Sequence, residues 1–259
     1  MRKLEVYIEE DGDFVLAGQI QGETWEDARF IYEKSYLENQ SHQPVSISLP
    51  FQEDAFSPFE TRCYFEGLLP EGYTRRCVAG WMHVAEEDYL SVLAGLGNEC
   101  LGAVRICEPG AGGCSPSYKK ISREELLEFA KEGASKSAQF LAKAHLSLTG
   151  ASGKTGLYYD NKDGWYMPFG TAPSTHIVKQ SHVRLSGIVA NEQLCLRTAK
   201  ILGIDVPESF IISVGTGEHI LFATKRFDRL MQEDSRGIDG KKVPFRLQQE
   251  DFAQALGVP

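Results

Sequence analysis

The period of apolar and polar positions changes several times along the chain, and each change marks an element. Leu4 to Ile8 alternates, Glu9-Glu10-Asp11-Gly12-Asp13 turns, and Phe14 to Ile20 returns, which predicts a β-hairpin. Trp25 to Tyr36 has a mixed period and predicts a short strand or a helical turn. Val45-Ser46-Ile47-Ser48-Leu49 alternates cleanly up to Pro50 and predicts a half-buried strand. Tyr64 to Leu69 reads as the end of a short helix stopped near Pro70, and Tyr73 to His83 and Glu86 to Leu93 read as further helices. A glycine-containing loop, Gly95 to Gly102, precedes the strand Ala103 to Ile106.

The stretch from Glu108 to Ser117 is rich in Gly, Ser and Pro and is the best candidate linker. After it, Ser122 and Glu125 form a capping box for a helix through Leu126 to Ala130 that fades near Gly133. Ser135 to His145 predicts a second, weaker helix. Asn191 to Leu202 places Leu194, Cys195, Thr198, Ala199 and Leu202 on one face, an amphipathic helix with Gly203 as its C-terminal cap. Cys195 on that face is read as core. Phe210 to Val214 and His219 to Thr224 predict strands joined by a turn at Gly215-Thr216-Gly217, and Gln249 to Leu256 begins a last helix.

Composition narrows the function classes. The 259 residues are 42% apolar and 24% charged, ordinary for a globular protein. A net charge of −9 argues against direct nucleic-acid binding, which needs clustered Lys and Arg. No stretch approaches the roughly 18 apolar residues that span a membrane, and the first residues, Met1-Arg2-Lys3-Leu4-Glu5-Val6, lack a signal-peptide core. Six cysteines with no CxxC pair suit free thiols, and the expectation is a cytoplasmic protein with no membrane association. His145 and His176 are isolated, so no metal site is expected in the chain.

The chemistry concentrates between Ser147 and Lys179. Ser147-Leu148-Thr149-Gly150-Ala151-Ser152-Gly153 is a Gly-rich turn able to aim several backbone N–H groups at one anion. Lys154-Thr155 follows. Gly156 to Tyr159, Trp165 to Pro168 and His176 to Lys179 predict three strands, the last ending in a lysine. Loop, strand, turn, strand, loop and strand with lysine is how a kinase small lobe covers ATP. The stretch is not a Walker A motif, which needs four residues between its first Gly and the Gly-Lys-Ser/Thr; only Ala151 and Ser152 lie between Gly150 and Gly153. A strand lysine turned inward is costly unless it meets an anion, and Glu192 at the start of the next helix is its candidate partner.

The order and spacing of SLTGASGKTGLYYD, W-x-x-P-x-G-T-x-P-S-T-H-I-V-K, Asn191-Glu192 and Lys225-Arg226-Phe227-Asp228-Arg229 resemble the HipA family of bacterial serine/threonine kinase toxins. The resemblance extends upstream through SISLPF, FEGLLPEG and GNECLGAVRI, and downstream through QQEDFAQALGVP. It implies an α+β fold: an N-terminal β-rich module (residues 1–108), a linker (109–121), a kinase-like small lobe of antiparallel strands and helices (122–229) and the start of a large lobe (230–259) that is mostly absent. It implies autophosphorylation at Ser147 and ATP contacts from Thr149, Gly150, Ala151, Ser152, Gly153 and Lys154, from Lys179 supported by Glu192, and from a hinge containing Lys225 and Phe227. Core is the simpler reading of Phe227. Two departures from the family pattern are Ser152-Gly153 in the loop and Lys225 in the hinge, where glutamate is usual.

The same resemblance implies ATP and magnesium as cofactors. It implies a helix-turn-helix antitoxin of the HipB kind as partner, so that contact with DNA is indirect. Protein serine is the implied substrate class, in some members that of a tRNA synthetase. The catalytic aspartate and magnesium ligands of the family lie beyond the point matching Pro259, and no Asp-x-x-x-x-Asn spacing follows the hinge here. The chain alone is therefore expected not to transfer phosphate. The alternative is a non-catalytic split or degenerate HipA that binds an antitoxin or a separate kinase subunit.

Overall fold

The computed structural model describes residues 1–111, 115–150, 152–181, 185–215, 219–233 and 235–259, with the side chain of residue 134 also left out. Ala151, the turn residues Thr216 and Gly217, and the middle of the candidate linker lie outside the described residues.

The N-terminal half is built on a four-stranded antiparallel sheet. Strand β1 (Arg2–Glu10) pairs with β2 (Asp13–Gly22), which pairs with β3 (Arg29–Tyr32). A one-turn helix α1 (Lys34–Leu37) follows, so the mixed period resolves into a strand and a helical turn. Helices α2 (Pro58–Glu66), α3 (Gly72–Met82) and α4 (Tyr89–Leu96) come next, and β4 (Val104–Cys107) returns to the other edge of β1. Alternation in β1 buries Leu4, Val6 and Ile8 against Phe30, Phe65 and Leu93 in one apolar core. Helix α2 starts well before the predicted segment. Ser57 and Glu60 cap it reciprocally and Pro58 occupies its first turn, a signal present in the sequence that the reading from Tyr64 missed.

The predicted strand Val45–Leu49 is a tight turn instead. The Leu49 N–H donates to Ser46 O, Val45 and Leu49 are buried at either end, and Ile47 is 75% exposed at the tip. Buried ends around an exposed tip imitate strand alternation over five residues.

The second half centres on a six-stranded sheet. It comprises β5 (Ser117–Lys120), β6 (Lys154–Asp160), β7 (Gly164–Phe169), β8 (His176–Gln180), β9 (Ser209–Val214) and β10 (His219–Lys225), in the order β5-β7-β6-β8-β10-β9. All its described pairings are antiparallel. Strand β5 falls within the stretch read as linker: its backbone pairs Ser117–Lys120 with β7, and Lys119 and Lys120 face solvent. Helix α5 (Arg123–Glu132) begins at the predicted capping box, and α6 (Ala134–Ala144) ends at His145 in the left-handed region.

Helix α7 (Ile188–Ile201) flanks β9 and β10 and overturns part of the sequence reading. It buries Val189 and Gln193, while Leu194 and Leu202 are 63% and 72% exposed and Cys195 is exposed. Cys195 is thus not a core residue. The face is apolar, and no segment of the described residues covers it.

Past the sheet, two small ribbons join β11 (Arg229–Leu230) to β14 (Phe245–Arg246) and β12 (Gly237–Ile238) to β13 (Lys241–Lys242). The chain closes with α8 (Phe252–Leu256), capped by Asp251 and shorter than predicted. This terminal stretch lies against the N-terminal half: Gln248 Nε2 donates to Val45 O at 2.7 Å, Glu250 accepts from the Ile47 N–H, and Gln254 Nε2 donates to Tyr64 O at 2.9 Å.

Candidate functional site

Strand pairing brings the two candidate lysines together. In the β6–β8 ladder Lys154 stands opposite Lys179, and both side chains are half-buried. Two cations side by side need carboxylates near them. Lys179 Nζ lies 2.6 Å from Glu192 Oε1 and 5.7 Å from the Phe222 ring. Glu192 is on the second turn of α7, so helix position sets the reach of this pair. Lys154 Nζ donates to Thr149 O at 2.7 Å. Burial first, and Lys179 second, push the Lys154 ammonium down to about 8, against the opposing pull of Glu71 and Glu192. Lys154 is thus a buried ammonium beside a second lysine, with its own hydrogen bond made to a carbonyl rather than to a carboxylate, a place where an added anion would find a cation at hand.

The Gly-rich turn crosses just in front of these lysines. Gly150 has φ +95°, which calls for glycine, and a Cβ there would come 2.7 Å from Lys154 Nζ and push the tip of that side chain aside. Ser152 is partly exposed, and Gly153 O accepts from the Gln180 N–H at 3.2 Å, tying the end of the turn to β8. Thr149 and Gly150 are half-buried at the rim. Thr149 and Glu71 line a groove of about 820 Å3 that continues past Arg62, Arg75 and Gln254.

Ser147 lies elsewhere. It is fully buried, its Oγ donates to Leu68 O at 2.6 Å, and its N–H donates to Glu99 O at 2.8 Å. Leu146 and Leu148 on either side are also buried, so the Ser147 hydroxyl is closed off from solvent. His145 plays no part beside it: its Nδ1 contacts Gly95 O.

The hinge segment divides. Lys225 and Phe227 are exposed, Phe227 at 73%, which corrects the core reading of that phenylalanine. The backbone N–H groups of Lys225 and Arg226 are already used, on Glu208 O and Thr175 O. Arg226, Asp228 and Arg229 turn the other way, into a buried cluster. Asp228 accepts from Arg226 Nη2 at 2.6 Å, from Arg229 Nη1 at 2.8 Å and from the Gly102 N–H at 2.9 Å. Glu99 Oε1 accepts from Arg229 Nη2 at 3.1 Å and from the N–H and hydroxyl of Ser174. Burial alone would raise the Glu99 carboxyl, but Arg229, Arg226 and Arg246 outweigh it and hold it below the ordinary range. Sequence reading singled out the KRFDR run as a hinge and missed this role. The signal available was an Arg-x-Asp-Arg run beside a strand, needing partners that only the fold supplies.

Beside this cluster, which forms the seam between the two halves, His176 is buried among Tyr159, Trp165 and Phe210. Burial, and then the Lys225 charge, push it down to about 4, so it is neutral near pH 7.

Sheets, seam and Gly-rich turn define a two-part α+β chain in which an N-terminal module is fused to an antiparallel lobe. The model of the HipA N-terminal domain matches residues 4–107, and that of the HipA-like C-terminal domain matches residues 146–259. The chain belongs to the HipA family. Y4mE of Sinorhizobium fredii is 31% identical over 255 residues, covering 94% of this chain and 57% of that protein. The serine/threonine-protein kinase toxin HipA of Shewanella oneidensis is 27% identical over 219 residues, covering 84% of this chain and 48% of that protein. The solved complex of Shewanella oneidensis HipA with HipB and its operator DNA matches in fold with a TM-score of 0.74 at 24% identity, covering 98% of this chain and 56% of the matched chain. The chain thus spans about half the length of the curated relatives it matches.

Proposed function

We propose that this chain is the N-terminal module and nucleotide-covering lobe of a HipA-type serine/threonine kinase toxin. In this reading ATP lies beneath the Gly-rich turn. The single observation that carries it is the Lys154–Lys179 pair, set opposite each other across two strands under that turn, with Glu192 holding Lys179. The phosphates would meet both lysines from the side of the turn. Backbone N–H groups of the turn add to this, and they work equally well with Ser152-Gly153 in the loop. Lys154, with its ammonium lowered to about 8, is already cationic at neutral pH, and an arriving anion would hold it so at higher pH.

Magnesium bound with the nucleotide would supply positive charge against the phosphates; the described residues hold no cluster of three or more His, Cys, Asp or Glu side chains for it. Among the described residues the lysines bind and orient; they offer no hydroxyl-directing aspartate in an Asp-x-x-x-x-Asn arrangement. The protein target is a serine, and the partner a helix-turn-helix antitoxin through which any DNA contact is made. The solved complex of the Shewanella protein, which holds HipB and DNA, supports that partner class.

Isothermal titration of the purified chain with ATP and magnesium tests the reading. Measurable binding that weakens about tenfold in Lys179→Ala is expected, the scale of one lost charged contact. Equal affinity in both proteins would remove Lys179 from the site, and no heat with wild-type protein would remove the nucleotide itself.

A further inference from the structure

The Gly-rich turn is seated on the N-terminal module rather than on its own lobe alone. Glu99 is where the two meet. Its backbone forms a bridge with the start of the turn: Glu99 N–H donates to His145 O at 3.3 Å, and Ser147 N–H donates to Glu99 O at 2.8 Å. Its side chain points into the hinge, where one oxygen, Oε1, accepts from Ser174 twice and from Arg226 and Arg229. The next carbonyl, Cys100 O, accepts from both arginines at 3.2 Å. One residue therefore touches the turn with its main chain and the hinge with its side chain.

The anchoring is rigid on the hinge side. Glu99 is 2% exposed, and Arg226 and Asp228 are 2% and 3% exposed. Charges so deep hold fixed geometry, because any displacement leaves an ion unpaired in a low-dielectric interior. The turn side is secured by further module contacts: Ser147 Oγ to Leu68 O, and a parallel bridge between Pro70 and Gly150. Gly156 lets this assembly close, since a Cβ there would stand 2.7 Å from Ser174 Oγ and 2.6 Å from Leu146 Cδ1.

We propose that Glu99 is a positioning residue that fixes the height of the Gly-rich turn relative to the hinge, so that the N-terminal module is a working part of the nucleotide site. This rests on the nucleotide reading for its consequence, but the coupling itself can be read without nucleotide. The substitution Glu99→Gln keeps volume and backbone while removing the charge that two arginines face. Ser174→Ala removes one ligand of the same oxygen with far less risk to folding.

Hydrogen exchange by mass spectrometry on the full chain is the test. In Glu99→Gln, amides of 146–150 are expected to exchange at least tenfold faster while the β1–β2 hairpin keeps wild-type rates. Ser174→Ala should show the same selectivity at about threefold. ATP titration of both variants is expected to show weaker binding in the same order. A merely structural role predicts equal acceleration in hairpin and turn, or none in either, and either pattern overturns the proposal. Should Glu99→Gln not fold, Ser174→Ala carries the test alone. Loss of ATP binding in wild-type protein would sink the nucleotide reading and is visible before any variant is made, separately from the exchange result.

Discussion

The seam between the two halves and the outer face of α7 reverse the usual placement of charge and oil. At the seam Glu99, Arg226, Asp228 and Arg229 lie inside, none more than 6% exposed. On and just past α7, Leu194, Ile201 and Leu202 lie outside, at 63%, 86% and 72%. What decides burial is therefore the availability of partners rather than polarity. Three separate stretches of chain converge on the seam, and each charge finds an opposite charge or a carbonyl there. The α7 leucines meet no such convergence among the described residues, and an apolar surface of that kind marks a place where proteins meet others.

The largest expected effect comes from breaking the seam. Asp228→Ala leaves two buried arginines with Glu99 as their one remaining carboxylate within reach, a loss of about 3–5 kcal/mol of unfolding free energy. Urea denaturation measures it, and a loss below about 1 kcal/mol would mean that water or rearrangement satisfies the arginines.

His176 offers an intermediate case, polar and buried yet uncharged. Its folded value is about 4, below the 6.5 of the free side chain. The unfolded chain therefore takes up the proton first as pH falls. Stability from this group is full above about 6.5 and is lost on the way down to about 4. At pH 5 the loss is about 2 kcal/mol. Replacing it by phenylalanine should make the drop between pH 7 and pH 5 smaller by that amount. Melts of both proteins at the two values decide it.

The smallest effect belongs to α7. The double change Leu194→Gln, Leu202→Gln should alter unfolding free energy by no more than about 0.5 kcal/mol, since neither side chain is packed in this chain. A loss of 2 kcal/mol or more would show that the face is covered in solution, and sedimentation at several concentrations would then tell whether a second copy covers it.

Much of the fold was legible because local signals agreed with one another. The hairpin of β1 and β2, the capping box at Ser122 and the strands of β6 to β10 each combined a clean period with turn residues at their ends. The Val45–Leu49 turn failed for the opposite reason: five residues suffice to mimic alternation, and what holds the turn is Glu250, some two hundred positions away. In the candidate site, Lys179 with Glu192 followed from strand and helix order. The register that sets Lys154 opposite Lys179 did not, because register depends on partners of the whole sheet. Phe227 shows the limit of propensity: its neighbours Arg226 and Asp228 take the inward positions, so the aromatic ring is left outside.

The return of the terminal stretch to the N-terminal half bears on how the molecule is made. Tyr64 O and Val45 O are met by Gln254 and Gln248, and the latter pair is separated by 203 positions. Ribosomes add about 5–20 residues each second. Val45 is therefore made about 10–40 seconds before Gln248, the side chain that meets it. Until the two glutamines arrive, the Ser46–Leu49 turn and the floor beneath α2 present open carbonyls and a bare cleft. Contacts of such long sequence separation also slow refolding. Maturation of the first half is timed by translation of the second.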